Sequence, residues 1–408
     1  QRRLTREAQS FLQKKLDTRV EIGAVGLRFP YHLSLEKFLL EDRQGDTLVR
    51  VGSLVVTVDM WKLLDQRIEL QKITLEDASA YLHRKDSIYN FDFIVQAFAN
   101  PDAPEPVVKD TAASPWKLQI DLTVLQLKNV HFLMQDDDAK STTRADIGTA
   151  ETTLAKADLD NMYFELDGFS LADSDIRLIQ TMDSPDDGEP AAPFGLLLKD
   201  GDIQRSHLVF STPDLGLDAA LDKTTLDKLR VQSANDLMNI QAEGIVVQKS
   251  AVAYRDPKTA STPGHLNAGD LGLTQLDADL PLFSMQNDTL FVQVESLSGN
   301  DKSGLQLHSM STSARITPGT IEIKDALARL NKTSLDGDVL LVRKDSTFER
   351  MQVELRHIKG VVGDLIVLLP PLENQSLAEL RDMPYEASGN LNGWLDKLRT
   401  DKIEFRAG

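Results

Sequence analysis

The sequence predicts a mostly β protein: an elongated antiparallel sheet, creased into an open groove, with a short N-terminal helix and few small helices. Three observations predict it. Apolar and polar residues alternate over many short runs. Turn signals punctuate those runs. One spacing, apolar at i, i+2, i+5 and i+7, returns along the chain. The 408 residues are 41% hydrophobic, too apolar for a disordered chain. No apolar run approaches the roughly 18 residues that a membrane-spanning helix needs.

Residues 1–17 read as a helix, with Leu4, Ala8, Phe11, Leu12 and Leu16 at helical spacing. Residues 1–20 carry a net charge of +4 and leave −22 on the remainder. Such a start suits either a membrane surface or a packed cap with a solvated face. The period then switches to two. Leu54, Val56 and Val58 share a face, as do Leu305 with Leu307, Ile321 with Ile323, and Leu340 with Val342. Gln44-Gly45-Asp46, Ser298-Gly299-Asn300, Pro318-Gly319 and Asp336-Gly337-Asp338 supply turns between runs. Helical patterns are few: 61–65, 221–229, and 364–383 broken by Pro370-Pro371. Stretches 101–115, 183–193 and 256–270 read as loops. The first divides a cap, 1–100, from a groove-forming repeat region, 116–408. Residue 1 is Gln and the last residues alternate like a strand, so the sequence reads as part of a longer chain.

The recurring spacing fits Val20, Ile22, Val25, Leu27; then Leu33, Leu35, Phe38, Leu40; then Ile68, Leu70, Ile73, Leu75. It returns at Ile120, Leu122, Leu125, Leu127 and at Phe164, Leu166, Phe169, Leu171. Strict period two would send the second apolar pair to the opposite face. A bulge or kink between the pairs brings it back. Repeated at one height, such kinks crease a sheet into a trough. The competing reading of each segment is a strand, a turn and a second strand.

A sheet with one apolar face must hide it. Helices to cover it are scarce, and three Trp and six Tyr are few for a sandwich core. An apolar occupant from outside remains, and acyl chains fit at about 0.8 kcal/mol per buried CH₂. The candidate lining residues are Val20, Ile22, Leu33, Leu35, Leu54, Val56, Val58, Ile68, Leu70, Ile73, Leu75, Ile120, Leu122, Leu125, Leu127, Phe164, Leu166, Leu305, Leu307, Ile321, Ile323, Leu340 and Val342.

Catalysis finds no motif, and no catalytic residue, metal or cofactor is expected. Cysteine is absent, which excludes disulfides, thiolate metal sites and a Cys nucleophile. The seven histidines have no metal-ligand spacing, and neither a Gly-x-Ser-x-Gly elbow nor a phosphate-binding loop occurs. Asp136-Asp137-Asp138 reads as a solvated loop rather than a calcium site. The net charge of −18 opposes nucleic-acid binding.

Residues 4–98 resemble the N-terminal part of the AsmA-like family, and within it the TamB type. The resemblance rests on the basic helix, Asp17-Thr18-Arg19-Val20-Glu21-Ile22-Gly23, Leu33-Ser34-Leu35, Leu40-Glu41-Asp42-Arg43-Gln44-Gly45-Asp46-Thr47-Leu48 and Leu54-Val55-Val56. It continues in Ile68-Glu69-Leu70-Gln71-Lys72-Ile73-Thr74-Leu75-Glu76-Asp77-Ala78 and Ser87-Ile88-Tyr89-Asn90-Phe91, with a later echo at Ala387-Ser388-Gly389-Asn390-Leu391-Asn392-Gly393. The resemblance implies a periplasmic body anchored in the inner membrane of a Gram-negative bacterium by a helix not in this sequence. It implies a start similar to the chorein-type cap of bridge-like lipid transfer proteins, and carriage of phospholipid toward the outer membrane along a hydrophobic groove. The other role it implies is a scaffold for protein assembly with an Omp85-class barrel, met through a region not in this sequence.

Overall fold

A computed structural model of the chain describes residues 2–28, 32–58, 67–68, 70–98, 117–118, 124–158, 161–182, 193–234, 237–344, 347–368, 379–394 and 397–408. The expected helix at 61–65 and the linker 101–115 lie wholly outside the described residues, as does the loop 183–193 except its last residue. Among the described residues the protein is mostly β, as the alternation predicts. Three helices occur: α1 (Arg2–Leu16), α2 (Asp92–Phe98) and α3 (Val362–Leu368). The strands are β1 (Val20–Arg28), β2 (His32–Glu41), β3 (Thr47–Val58), β4 (Arg67–Ile68), β5 (Leu70–Lys85), β6 (Ile88–Tyr89), β7 (Lys117–Leu118), β8 (Val124–Asp136), β9 (Ser141–Asp158), β10 (Tyr163–Ala172) and β11 (Asp175–Gln180). They continue as β12 (Phe194–Ser211), β13 (Gly216–Ala234), β14 (Leu237–Arg255), β15 (Asp270–Gln286), β16 (Thr289–Asp301), β17 (Gln306–Ile316), β18 (Thr320–Leu330), β19 (Thr333–Lys344), β20 (Thr347–Val361), β21 (Pro384–Trp394) and β22 (Lys397–Ala407). The chain forms two compact units: residues 1–157, 165–187 and 209–213, and residues 158–164, 188–208 and 214–408.

In the first unit, α1 forms where the helical spacing predicts it. Its Ala8, Leu12 and Leu16 pack with Val20, Ile22, Leu40, Leu48 and Phe93. Its polar residues one turn apart do a second job. Val25 N–H donates to Thr5 Oγ1 at 3.1 Å, and Ile22 N–H donates to Gln9 Oε1 at 3.4 Å. Gln13 Nε2 donates to the Val20 carbonyl at 2.8 Å. The helix thus supplies the partners that a neighbouring strand would otherwise give to β1.

The predicted crease is present. Lys37, Asp77 and Asn129 adopt left-handed φ values of 53°, 52° and 51°. The registers place these residues in one row with Gly23, Gly52 and Gly148, so that left-handed residues and glycines interleave across β1, β2, β3, β5, β8 and β9. Asp and Asn tolerate that conformation, whereas Lys37 carries a cost of about 1–2 kcal/mol. The glycines make room for their neighbours. A Cβ on Gly52 would stand 2.8 Å from Asp77 Cβ and 3.2 Å from the Glu76 carbonyl oxygen.

The sheet is largely antiparallel, as expected, and becomes mixed where β5 pairs with β8 in parallel; β4 and β7 also pair in parallel, in a small separate sheet. A parallel pair needs a crossover of a dozen residues or more, and the chain between β5 and β8 supplies it. The acidic triplet at the end of β8 is a clamp rather than a solvated loop. Asp136 Oδ1 accepts from Asp138 N–H and Ala139 N–H, and Asp136 Oδ2 accepts from Arg84 Nη1 at 3.1 Å. Asp138 in turn accepts the N–H groups of Asp86 and Ser87.

In the second unit, β13 to β22 follow one another as an antiparallel meander. The expected helix at 221–229 is overturned, since those residues lie inside β13. A creased strand contains i, i+3 apolar pairs, which mimic helical spacing. The loop 256–270 is ordered against α3: Leu266 N–H donates to the Val367 carbonyl at 2.9 Å. Helix α3 covers Leu335, Leu355 and Ala387 with Val362 and Ile366. Its buried Asp364 accepts from Lys332 N–H at 3.0 Å and Thr333 Oγ1 at 2.7 Å, which pins the helix to the β18–β19 turn. The helix is described to Leu368, ahead of the break expected at Pro370-Pro371, and 369–378 lie outside the described residues.

Replacing Gly52→Ala forces Asp77 or the Glu76 carbonyl to move, and should cost about 1–3 kcal/mol in urea unfolding. The Asp136 clamp gives a pH dependence. Burial pushes its carboxyl up, but the N–H groups of Ala139 and Asp138 and the Arg84 guanidinium outweigh burial and hold it below the usual range. Its contribution is therefore complete above the unfolded value of about 3.9 and is lost as pH falls through the lower folded value. Asp136→Asn should flatten the acid limb of a stability–pH profile.

Candidate functional site: the apolar sheet face

Residues opposite one another in register share a face. In the first unit the registers join apolar residues into ladders across the sheet. Ile22, Phe38, Val51, Ala78, Val130 and Ile147 form one on one side of the crease. Leu35, Leu54, Leu75, Leu127 and Ala150 form the next, on the other side, and Leu33, Val56, Ile73 and Leu125 run beside it. Phe38, Leu54, Leu75 and Leu127 pack with Val51, Ala78 and Val130, so the crease does return both apolar sets to one face.

The second unit repeats the device at greater length. Val231, Ile240, Met285, Leu290, Ile316, Ile321, Leu341 and Met351 form one ladder. Leu229, Ala242, Phe283, Val292, Ala314, Ile323, Val339, Val353 and Leu391 form a second. Across the crease, Val247, Ala278, Leu297, Met310, Ala328, Leu335, Ile358, Ala387 and Phe405 form a third. This third ladder reaches from β14 to β22. Eight strand spacings of about 4.8 Å make it about 38 Å long. Most ladder residues are half-buried rather than closed into a core.

The opposite face is polar. Gln241, Ser284, Phe291, Arg315, Glu322, Leu340, Gln352 and Asn392 stand in register there. Arg315 lies over the Phe291 ring at 5.8 Å. His131 meets Asp146 at 2.7 Å and His207 meets Asp218 at 2.8 Å, both as cross-strand pairs. At the crease of β20, Arg356 bonds Asp336 and Asp338, and this bond holds the Asp338 carboxyl below its usual range. Among the described residues no group of three His, Cys, Asp or Glu side chains is placed to hold a metal. A cavity of about 670 Å³ opens between the β2–β3 turn, β5 and α2; Asp42, Arg43, Asp46, Lys85 and Asp92 share its lining with Leu82, Ile88, Tyr89 and Phe93, and it lies apart from the ladders.

The expected lining residues fall into distinct groups. Leu33, Leu35, Leu54, Val56, Ile73, Leu75, Leu125, Leu127, Ile321 and Ile323 stand on the ladders. Ile22 heads one ladder and Val20 pairs with Leu40 beside it, but they are only 8% and 0% exposed beneath α1, so they are core. Leu307 pairs with Gly299 and Leu330 and is half-buried. Leu305 is buried in the turn before β17, outside any strand. Phe164 and Leu166 are half-buried on β10, with the Phe164 ring 6.3 Å from Phe194. Leu340 and Val342 stand opposite Glu322 and Thr320, on the polar face; Leu341 and Val339 continue the ladders of Ile321 and Ile323. The run Val339-Leu340-Leu341-Val342 is apolar throughout, so period alone does not give its parity. Val58, Ile68 and Leu70 lie in strands, with Ile68 paired to Leu118 in the small sheet and Leu70 to Val58. Ile120 and Leu122 lie outside the described residues. Val353, Met351, Leu290, Val292 and Met310 are ladder residues that the sequence reading missed. Their signal was the partner strand's pattern rather than their own.

Among the described residues no helix is long and apolar enough to cross a membrane. No curated protein and no solved structure matches the chain. A family model does match it, over residues 2–275, which is two thirds of its length and runs from α1 into the start of β15. The chain therefore belongs to the AsmA family.

Proposed function

We propose that the apolar ladders solvate the acyl chains of phospholipid and carry it, without covalent chemistry, between the inner and outer membranes. AsmA family membership is consistent with a lipid-transport or envelope-assembly role. The observation that carries the finer reading is the continuity of half-buried apolar side chains across successive strands. A lipid tail spans half of a hydrocarbon core about 30 Å thick, or about 15 Å. A ladder more than twice that long is a path rather than a pocket. Each CH₂ that enters gains about 0.8 kcal/mol, and the gain is similar at every strand, so no position traps the lipid. The polar face and the backbone turns then meet the aqueous space of the periplasm, in a protein anchored at the inner membrane. A scaffold for outer-membrane strands working with an Omp85-class barrel needs open backbone edges. The α1 helix occupies that edge of β1, which favours the lipid reading in the first unit.

The test compares lipid content by mass spectrometry after gentle purification. The native chain should carry phospholipid. The double variant Ile323→Glu, Val339→Glu should lose most of it. Leu340→Glu, one residue away on the polar face, should retain it. Circular dichroism checks that all three are folded. A native chain free of lipid, or equal loss in Leu340→Glu, overturns the reading.

A further inference from the structure

Helix α3 lies on the apolar path itself. The third ladder of the second unit passes through Leu335, Ile358 and Ala387, and Val362 and Ile366 of the helix pack on these same residues. Ile358 is 7% exposed beneath the helix, whereas Leu297 and Met310 on the same ladder are half-buried. The helix has seven residues, too few to keep its form alone. Beyond that apolar footprint, its hold is polar and sits at its two ends. At its start, Asp364 accepts from Asn331 Nδ2 at 3.2 Å, Lys332 N–H at 3.0 Å and Thr333 Oγ1 at 2.7 Å, and Val362 N–H donates to the Met383 carbonyl at 3.1 Å. At its far end it meets the loop between β14 and β15. His265 Nδ1 lies 3.1 Å from the Ile366 carbonyl, and Leu266 N–H donates to the Val367 carbonyl at 2.9 Å.

We propose that α3 is a lid over the acyl path: the helix and a lipid tail compete for Leu335, Ile358 and Ala387, and a tail that takes them lifts the helix. The inference rests on the lipid reading above. Lifting α3 into water alone exposes the three ladder residues, which the hydrophobic effect opposes. A tail laid on the same residues keeps them covered, so that opposition falls away on the side of the sheet. The remaining hold is polar. The Ile366 and Val367 carbonyls, the Lys332 N–H and the Asp364 carboxylate exchange protein partners for water, with little net change per bond. A tail therefore favours the lifted form over the seated one, and such a difference in affinity is what shifts a two-state equilibrium. Asp364 is the latch. Its carboxylate is buried only while Asn331, Lys332 and Thr333 supply its donors, so the seated position is specific rather than merely apolar.

The chain has no cysteine, so one introduced thiol reports on the lid alone. Ile366→Cys, at a position 1% exposed under the helix, is followed by its rate of reaction with a water-soluble maleimide. Val362→Cys, close in size to the residue it replaces, repeats the reading in case Ile366→Cys itself loosens the helix. Vesicles of phosphatidylethanolamine and phosphatidylglycerol should speed both reactions about fivefold or more. They should leave Leu327→Cys, 52% exposed and opposite Asp336, unchanged. Adding Asp364→Ala should speed both reactions about tenfold without vesicles and raise the phospholipid carried per chain. A native chain that carries phospholipid, with thiol rates indifferent to vesicles, overturns the lid and leaves the lipid reading standing. Rates and lipid content that Asp364→Ala leaves unchanged also overturn the lid. A native chain that neither carries nor takes up phospholipid overturns both.

Discussion

The fold depends on one constraint: a strand's side chains alternate, so a bend that keeps one face apolar must absorb an extra residue. Each crossing of the crease meets this requirement locally. A left-handed Asp, Asn or Lys takes the turn, or the register slips by a residue, and a glycine opposite leaves space for the backbone that comes forward. The device is cheap at Asp77 and Asn129, where Asn129 Nδ2 also donates to Asp77 Oδ1 at 2.6 Å. Without it, half of the apolar residues on every strand would turn to water.

Closure of the apolar face follows from the same geometry. Helix α1 and helix α3 each cover part of it within their own unit, and both do so with few apolar residues and a set of polar anchors. For α1 these are Thr5, Gln9 and Gln13; for α3 it is Asp364. Elsewhere the ladders stay half-buried. Burial is therefore graded along one face: Val20 under α1 is core, while Leu54, Leu75 and Leu127 farther along it are half-buried.

Much of this was legible in the sequence. The spacing at Leu33, Leu35, Phe38 and Leu40 fits a kinked strand as well as two strands with a turn between, and the single strand β2 decides for the kink. The basic helix was legible from its period. The parallel pairing of β5 with β8 was not, since strand direction leaves no mark on side-chain alternation. The parity of β19 was not, because four consecutive apolar residues satisfy either face and only Glu322 and Ile323 across the ladder decide. The strand at 221–229 was misread as helix because a crease itself creates a three-residue step.

The meander of the second unit has a consequence for how such a protein changes length. Among the described residues each strand from β13 to β22 bonds only its immediate neighbours in sequence, and directions alternate. Removing or adding one strand would leave two parallel edges facing with a short loop that cannot join them. Removing or adding a hairpin leaves direction, crease height and apolar parity intact. The sheet can therefore grow or shrink only in steps of two strands, about 10 Å at a time. Its span is set by a count of hairpins.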